Sequence, residues 1–401
     1  GSGFLPAVRG LHEGQPESLS RAGEGPGRLG QEVFLEIPVH PDDAKRNGLR
    51  ANRASGDGLR SLRTAVRRWY ERLGPAGRAL RRASLAGRAL GAPAWLDALT
   101  RHIVRFKAID DGLYWELITE APFTIDKYGS TWHTDRWQRY LAEPAIKAPT
   151  LDGYEWPETS EFFTPAQRQD TRRIIDGNLD AFLAAGFNFG LFERAWALRG
   201  FENALMDAAS EPAFFRQLID RIARQQMEIL EELVVLPVDG IMFSDDWGGQ
   251  QGILLGPARW RTFLKEPTRR MYAFAHGHGK ATLHHSCGNV TDLIPDAIEI
   301  GLDVLESVQP EAMNPYKLKQ RFGEQLAFWG GLGVQSTLPF GTPDDVRAEI
   351  QSLCREMGRG GGYILAPAKP LQEDTPTPNA AAVVEAFLAL STYMPISCFS
   401  R

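Results

Sequence analysis

The densest chemistry in this 401-residue chain lies in its second half, where short apolar runs end in residues able to hold a metal or move a proton. The sharpest of these endings is His285-Ser286-Cys287. Residues i and i+2 of an extended segment point the same way, so an imidazole and a thiolate can grip one soft ion, typically zinc. A buried cysteine beside a hydrogen-bonded histidine is the competing arrangement. The adjacent His284 should face the other way and receives no role, while His276 and His278 end a helix and read as partners of its last carbonyls. Asp245-Asp246 offers a carboxylate pair with one side chain expected at the mouth of a site, as base, metal ligand or substrate acceptor. Capping of a helix is the other use of such an aspartate. Glu306, Gln309, Lys369 and Gln372 follow later apolar runs, and Trp196, Trp247 and Trp329 can wall a pocket for a flat ligand or simply pack.

Side chains scattered over more than a hundred positions need a frame that gathers their ends. Apolar runs at 239–243, 281–284, 302–305, 326–329 and 363–365 each lead through a polar turn into an amphipathic stretch. Gly301 and Gly323 stop two of the helices, Asn314-Pro315 starts another, and Thr342-Pro343 with Asp344 and Asp345 caps the next. Strands alternating with helices pair in parallel. Earlier strand candidates at 33–38, 114–117 and 187–192 bring the count near eight, and no glycine-rich phosphate loop follows an early strand. The expected fold is therefore an α/β, closed TIM (β/α)8 barrel rather than a doubly wound dinucleotide sheet, with its site at the C-terminal ends of the strands.

The first part reads differently. Residues 1–30 are expected to be loop or disordered, 31–110 to form a strand and a basic helical extension, and 111–395 to form the barrel. The arginine-rich stretch 59–90, with Arg67, Arg68, Arg81 and Arg82, reads as a solvated helical face, RNA or an acidic protein being the alternative contact. A formal net charge of −5 gives no general reason to expect nucleic acid or an anionic membrane. Three distant cysteines argue for a reducing compartment, and no apolar run reaches the ~20 residues of a membrane span, so cytoplasm is the expected location. No leader peptide is legible.

The runs IMFSDDWGGQQGILL, HSCGNVTDLIPDAIEIGLDVL, FWGGLGVQSTLPFGTPDDV and GGYILAPAKPLQEDTPTPN, together with FERAWALRGFENALMD, resemble the uroporphyrinogen decarboxylase-like superfamily over about 187–390. That resemblance implies a TIM barrel and one of two activities. One is cofactor-free decarboxylation; the other is zinc-dependent methyl transfer involving a methylcobamide carried by a corrinoid-binding protein. The arginine-bearing RQAGR-type motif of the decarboxylases is missing, and His285-x-Cys287 matches the methyltransferases. Where these place a second cysteine, this chain has Lys369. The resemblance thus implies His285 and Cys287 as zinc ligands, with Glu306 as substitute third ligand. Asp245, Asp246 and Lys369 are then catalytic candidates, and Trp196, Trp247, Gln309 and Trp329 substrate contacts. The alternatives are a metal-free lyase in which Lys369 and Asp245 hold substrate carboxylates, and a non-catalytic barrel that binds a small molecule or a corrinoid protein.

Overall fold

The computed structural model describes residues 37–38, 103–112, 123–134, 139–179, 181–372 and 374–393. The expected strand at 114–117 and the arginine-rich stretch lie outside them. The strands are β1 (Ile37–Pro38), β2 (Ile103–Lys107), β3 (Phe123–Ile125), β4 (Thr131–Thr134), β5 (Arg139–Glu143), β6 (Phe182–Gly186), β7 (Gly240–Ser244), β8 (Gly248–Gly249), β9 (Gly252–Ile253), β10 (Ala281–His285), β11 (Val304–Val308), β12 (Ala327–Leu332) and β13 (Tyr363–Pro367). The helices that matter below are α1 (Pro165–Gly177), α2 (Leu191–Arg199), α3 (Phe201–Ser210), α4 (Pro212–Val234), α5 (Pro257–Phe263) and α6 (Lys265–Gly277). None of the described helices is long and apolar enough to cross a membrane.

Seven strands form one parallel sheet in the order β13-β12-β11-β10-β7-β6-β2, and β1 adds to β13 antiparallel. Of the strand expected over 33–38, the described residues Ile37–Pro38 pair antiparallel with β13 rather than joining the parallel set. The run at 187–192 is not a strand either. Its strand lies earlier, at β6, after which the chain turns through Phe189 at φ 57° into α2. The strand β2 sits inside the sheet, paired in register with β6 from Ile103↔Phe182 to Lys107↔Gly186. The five later strands fall where the apolar runs place them, each ending one to three residues further on.

Alternation along these strands separates two cores. Ile103, Phe182, Ala184, Met242, Leu283, Val304, Trp329 and Ile364 belong to one cluster that draws on all seven parallel strands. Their immediate neighbours, such as Val104, Leu183, Ile241, Leu305, Phe328 and Leu365, pack outward with the helices. A single inner cluster fed by seven strands requires the sheet to curl. So does the contact between Arg105 on β2 and Glu306 on β11, at 3.1 Å. Four strand spacings separate those two in a flat sheet, about 19 Å. Among the described residues the two ends of the sheet, β1 and β2, are not paired with each other.

Candidate active site

On the inner face the small and apolar residues come early in each strand and the polar ones at its C-terminal end. Ser244, His285 and Glu306 share one level, tied by the register His285↔Ser244 and His285↔Glu306, and Arg105 reaches Glu306 from β2. The backbone around His285 is held from both sides: Asp245 N–H donates to the His285 carbonyl at 3.0 Å, and Ser286 N–H to that of Glu306 at 2.6 Å. The loop beyond is also fixed. Gly288 has φ +72°, and a Cβ there would stand 2.5 Å from the Gly248 carbonyl oxygen, so this tight contact between the loop and β8 needs glycine. Gln309, expected to touch substrate, accepts the Gly288 N–H at 3.4 Å and braces this loop.

Asp246, His285 and Cys287 present a carboxylate oxygen, a ring nitrogen and a sulfur all within 4.8 Å of one another. The Cys287 sulfur lies 3.3 Å from His285 Nε2, and Asp246 Oδ1 lies 3.5 Å from it. Asp246 Oδ1 also accepts the Cys287 backbone N–H at 2.7 Å, which locks the two loops together. The other ring nitrogen, Nδ1, pairs with Glu306. Here the expectation for Glu306 is corrected. It stands behind the imidazole and fixes its orientation, and the third donor facing His285 Nε2 and Cys287 is Asp246. A carboxylate on the far nitrogen of a histidine is what a metal ligand needs to present one defined lone pair. Oxygen, nitrogen and sulfur in that arrangement fit a borderline-soft ion such as zinc.

The electrostatics bind the cluster further. Burial alone would lower the His285 pKa, but Glu306 and Cys287 outweigh it and hold the value well above the usual range. Glu306 runs the other way: burial would raise it, but His285, Arg105 and Lys369 bring it down to about 2. Lys369 is half-buried; the opposing pull of burial is overcome by Cys287, Asp246 and Glu306, so its pKa is raised. Burial, followed by the charges of Asp246 and Asp245, pushes the Glu193 carboxyl well above the ordinary value.

Asp245 does not face the mouth. Its carboxylate accepts the Phe192 N–H at 3.1 Å, the Glu193 N–H at 2.8 Å and the Trp247 indole N–H at 2.9 Å. It caps α2, whose own N-cap residue is Gly190; burial raises its pKa to about 6 against those three donors. Trp247 is likewise part of the scaffold: 2% exposed, it stacks on His284 with ring centroids 3.9 Å apart. His284 itself is structural, between the Tyr272 hydroxyl at 2.7 Å and the Asp245 carbonyl at 3.3 Å. Trp329 lies on the inner face with Arg105 5.8 Å from its ring centre, and its buried indole N–H has no hydrogen-bond partner among the described residues. Trp196 lines a separate cleft of about 560 Å³ with Trp132, Tyr140 and Phe201. Gln372 bonds the carbonyl of Pro370. His278 meets the Phe274 carbonyl at its helix end as expected, whereas His276 pairs with Asp303.

Sequence reading misses Arg105 and Glu193. The signal for Arg105 is a charge at the third place of IVRFK, on the same face as Ile103. For Glu193 it is an acid just after a strand-to-helix turn.

Residues 143–389 match the model of the uroporphyrinogen decarboxylase (URO-D) family. The chain is 26% identical over 172 residues to the methylcobamide:CoM methyltransferase MtaA of Methanosarcina barkeri, covering 43% of this chain and 48% of that protein. It is 23% identical over 194 residues to the uroporphyrinogen decarboxylase of Psychromonas ingrahamii, covering 46% and 51%. It therefore spans about half the length of these curated relatives. Among solved structures, a methyltransferase from Methanosarcina mazei shares the fold with a TM-score of 0.56 at 21% identity, over 73% of this chain and 81% of that one.

Proposed function

Because this chain belongs to the uroporphyrinogen decarboxylase family, we propose that it is a barrel enzyme of the methyltransferase kind, moving a methyl group between a corrinoid-binding protein and a small molecule with zinc assistance. The observation that carries this reading is the Asp246, His285 and Cys287 donor set within 4.8 Å, with Glu306 on the far nitrogen of His285. These three residues would hold the ion. Bound zinc supplies a Lewis acid that makes a thiol or similar methyl acceptor a better nucleophile, or a methyl donor a better leaving group. The methylcobamide would arrive on the partner protein.

The chain's own groups then have separate tasks. Glu306 keeps Nε2 of His285 turned to the site. Gln309 and Gly288 fix the loop that carries Cys287. Glu193, with its raised pKa, is placed to hold a proton beside Asp246. Lys369 and Arg105 bring positive charge to the mouth. That last feature, with relatives that include uroporphyrinogen decarboxylases, supports a second reading: a metal-free lyase in which Lys369 engages a substrate carboxylate.

Metal content decides between them. Protein purified without chelator and supplied with zinc should retain about one ion per chain, and Cys287→Ser and Asp246→Asn should each remove most of it. The zinc-loaded protein should demethylate methylcobalamin in the presence of a thiol. Metal-free protein that releases carbon dioxide from a carboxylated substrate would replace the first reading with the second.

A further inference from the structure

We propose that the cleft where β4 and β5 meet the corner between α2 and α3 binds a small quaternary ammonium compound. Its described walls include none of Asp246, His285 and Cys287, so the inference stands apart from the metal reading. At about 560 Å³ the cleft has room for a small molecule. Trp132, Tyr140, Trp196 and Phe201 supply its rings, and Glu202 and Asn203 its polar groups. Gly200, at φ 88°, ends α2 and starts α3. That corner brings Trp196 and Phe201 to one cleft, with ring centroids 6.2 Å apart. Other contacts hold the rings before any ligand arrives. The Trp132 indole N–H donates to Asp126 at 3.0 Å, and Tyr140 stacks on His133 with centroids 4.8 Å apart.

Shape and charge select the occupant. The Trp196 ring stands at 64° to Trp132 and 77° to Phe201, so these rings offer no pair of parallel faces to a flat ligand. Rings at steep angles suit a rounded group, and their electron-rich faces attract a cation. Glu202 is the one charged residue among the described walls, and its charge is negative. A primary ammonium carries three N–H donors that need acceptors. A quaternary one carries none and presents only methyl surface to the rings. Tyr140 and Phe201 are 49% and 41% exposed, and such a ligand would cover apolar surface that water now meets. A glutamate in the first turn of α3 also suits the helix N-terminus, so its role has to be read from binding rather than from melting.

Titrations of the full chain, read from the broadening of ligand methyl proton signals, test this with choline as the probe. Choline should saturate at millimolar concentration or below. Dimethylbutanol, in which carbon replaces the charged nitrogen, should bind about tenfold more weakly. Ethanolamine, which keeps the charge but not the methyl groups and is followed by its methylene signals, should also bind about tenfold more weakly. Phe201→Leu should weaken choline about tenfold and Glu202→Gln about threefold, with melting close to that of the parent. Tyr140→Leu serves as a second ring removal should Phe201→Leu fail to fold. Equal affinity for choline and either analogue would overturn the proposal. So would choline binding that neither ring removal nor Glu202→Gln weakens, because the ligand would then sit elsewhere. Failure of the parent chain to saturate with choline would overturn it too. Each of these outcomes leaves the metal reading untouched.

Discussion

At the scale of single residues, Asp245 and Asp246 part ways where β7 ends. Asp245 turns outward to two free N–H groups at the start of α2; Asp246 turns to the Cys287 loop. Substituting them should therefore have opposite consequences. Asp245→Ala removes a buried cap that accepts three hydrogen bonds, and a loss of about 2 to 3 kcal/mol is expected in denaturant titration, with zinc retained once refolded. Asp246→Asn should melt within a few degrees of the parent but hold little zinc. Loss of zinc with both substitutions in equal measure would contradict this division. His284 gives a pH prediction at the same scale. Burial lowers its pKa from 6.5 to about 3, so the folded chain keeps it neutral while the unfolded chain protonates. A histidine with a depressed folded pKa contributes stability that is complete above about pH 6.5 and is lost as pH falls toward 3. By pH 5 the loss amounts to about 2 kcal/mol. The midpoint of urea unfolding should fall between pH 7 and 5, and fall less in His284→Gln.

At the scale of elements, what sequence reveals depends on whether an element carries its own boundaries. The helices after β11 and β12 carry theirs: Asn314 accepts the Lys317 N–H at 3.0 Å, and Thr342 and Asp345 form a reciprocal capping box. The five later strands stand between such helices and are legible for that reason. The stretch FLAAGFNFGLF is apolar but for Asn188, so periodicity cannot say where the strand stops; β6 ends at Gly186 and α2 starts where Asp245, more than fifty residues away, supplies its cap. For the same reason sequence leaves open whether Asp245 is reactive or a cap, and its carboxylate is seen to accept N–H groups at the start of α2. The pairing of His285 with Cys287 is legible because both residues lie on one short segment, whereas the approach of Asp246 rather than Glu306 to the same ring nitrogen depends on which carboxylate faces which side of the imidazole. Loop geometry supplies the third prediction. Gly288→Ala puts a Cβ into the Gly248 backbone in a left-handed conformation, so the Cys287 loop must shift away from β8. Zinc affinity should drop more than tenfold by chelator competition, while Gly279→Ala, also at positive φ (+72°) but with nothing within 4 Å, should leave it unchanged.

At the scale of the whole molecule, the curl of the sheet and the assembly of the site depend on the same contact. Arg105 stands on β2, at one end of the parallel set, and its partner Glu306 on β11, four strands away in the sheet order. The bond between them exists only while the inner faces close over the cluster of Met242, Leu283 and Trp329. Glu306 is 2% exposed, and its charge is offset by His285, Arg105 and Lys369. Removing the arginine therefore leaves a buried carboxylate with less compensation, a change that costs about 2 to 4 kcal/mol when one partner of a buried pair is lost. Arg105→Met should show that cost in urea unfolding. Replacing both groups, Arg105→Met with Glu306→Gln, removes the charge that was left behind, and the double variant should be more stable than the sum of the single losses by about 1 to 3 kcal/mol. The single variants should also differ in the site itself: Glu306→Gln frees His285 to rotate and weakens zinc binding by about 10- to 100-fold, whereas Arg105→Met weakens it less, because Glu306 still faces Nδ1. Strict additivity in the cycle would mean that the ion pair does not couple the two ends of the sheet, and that the inner apolar cluster holds the curl without it.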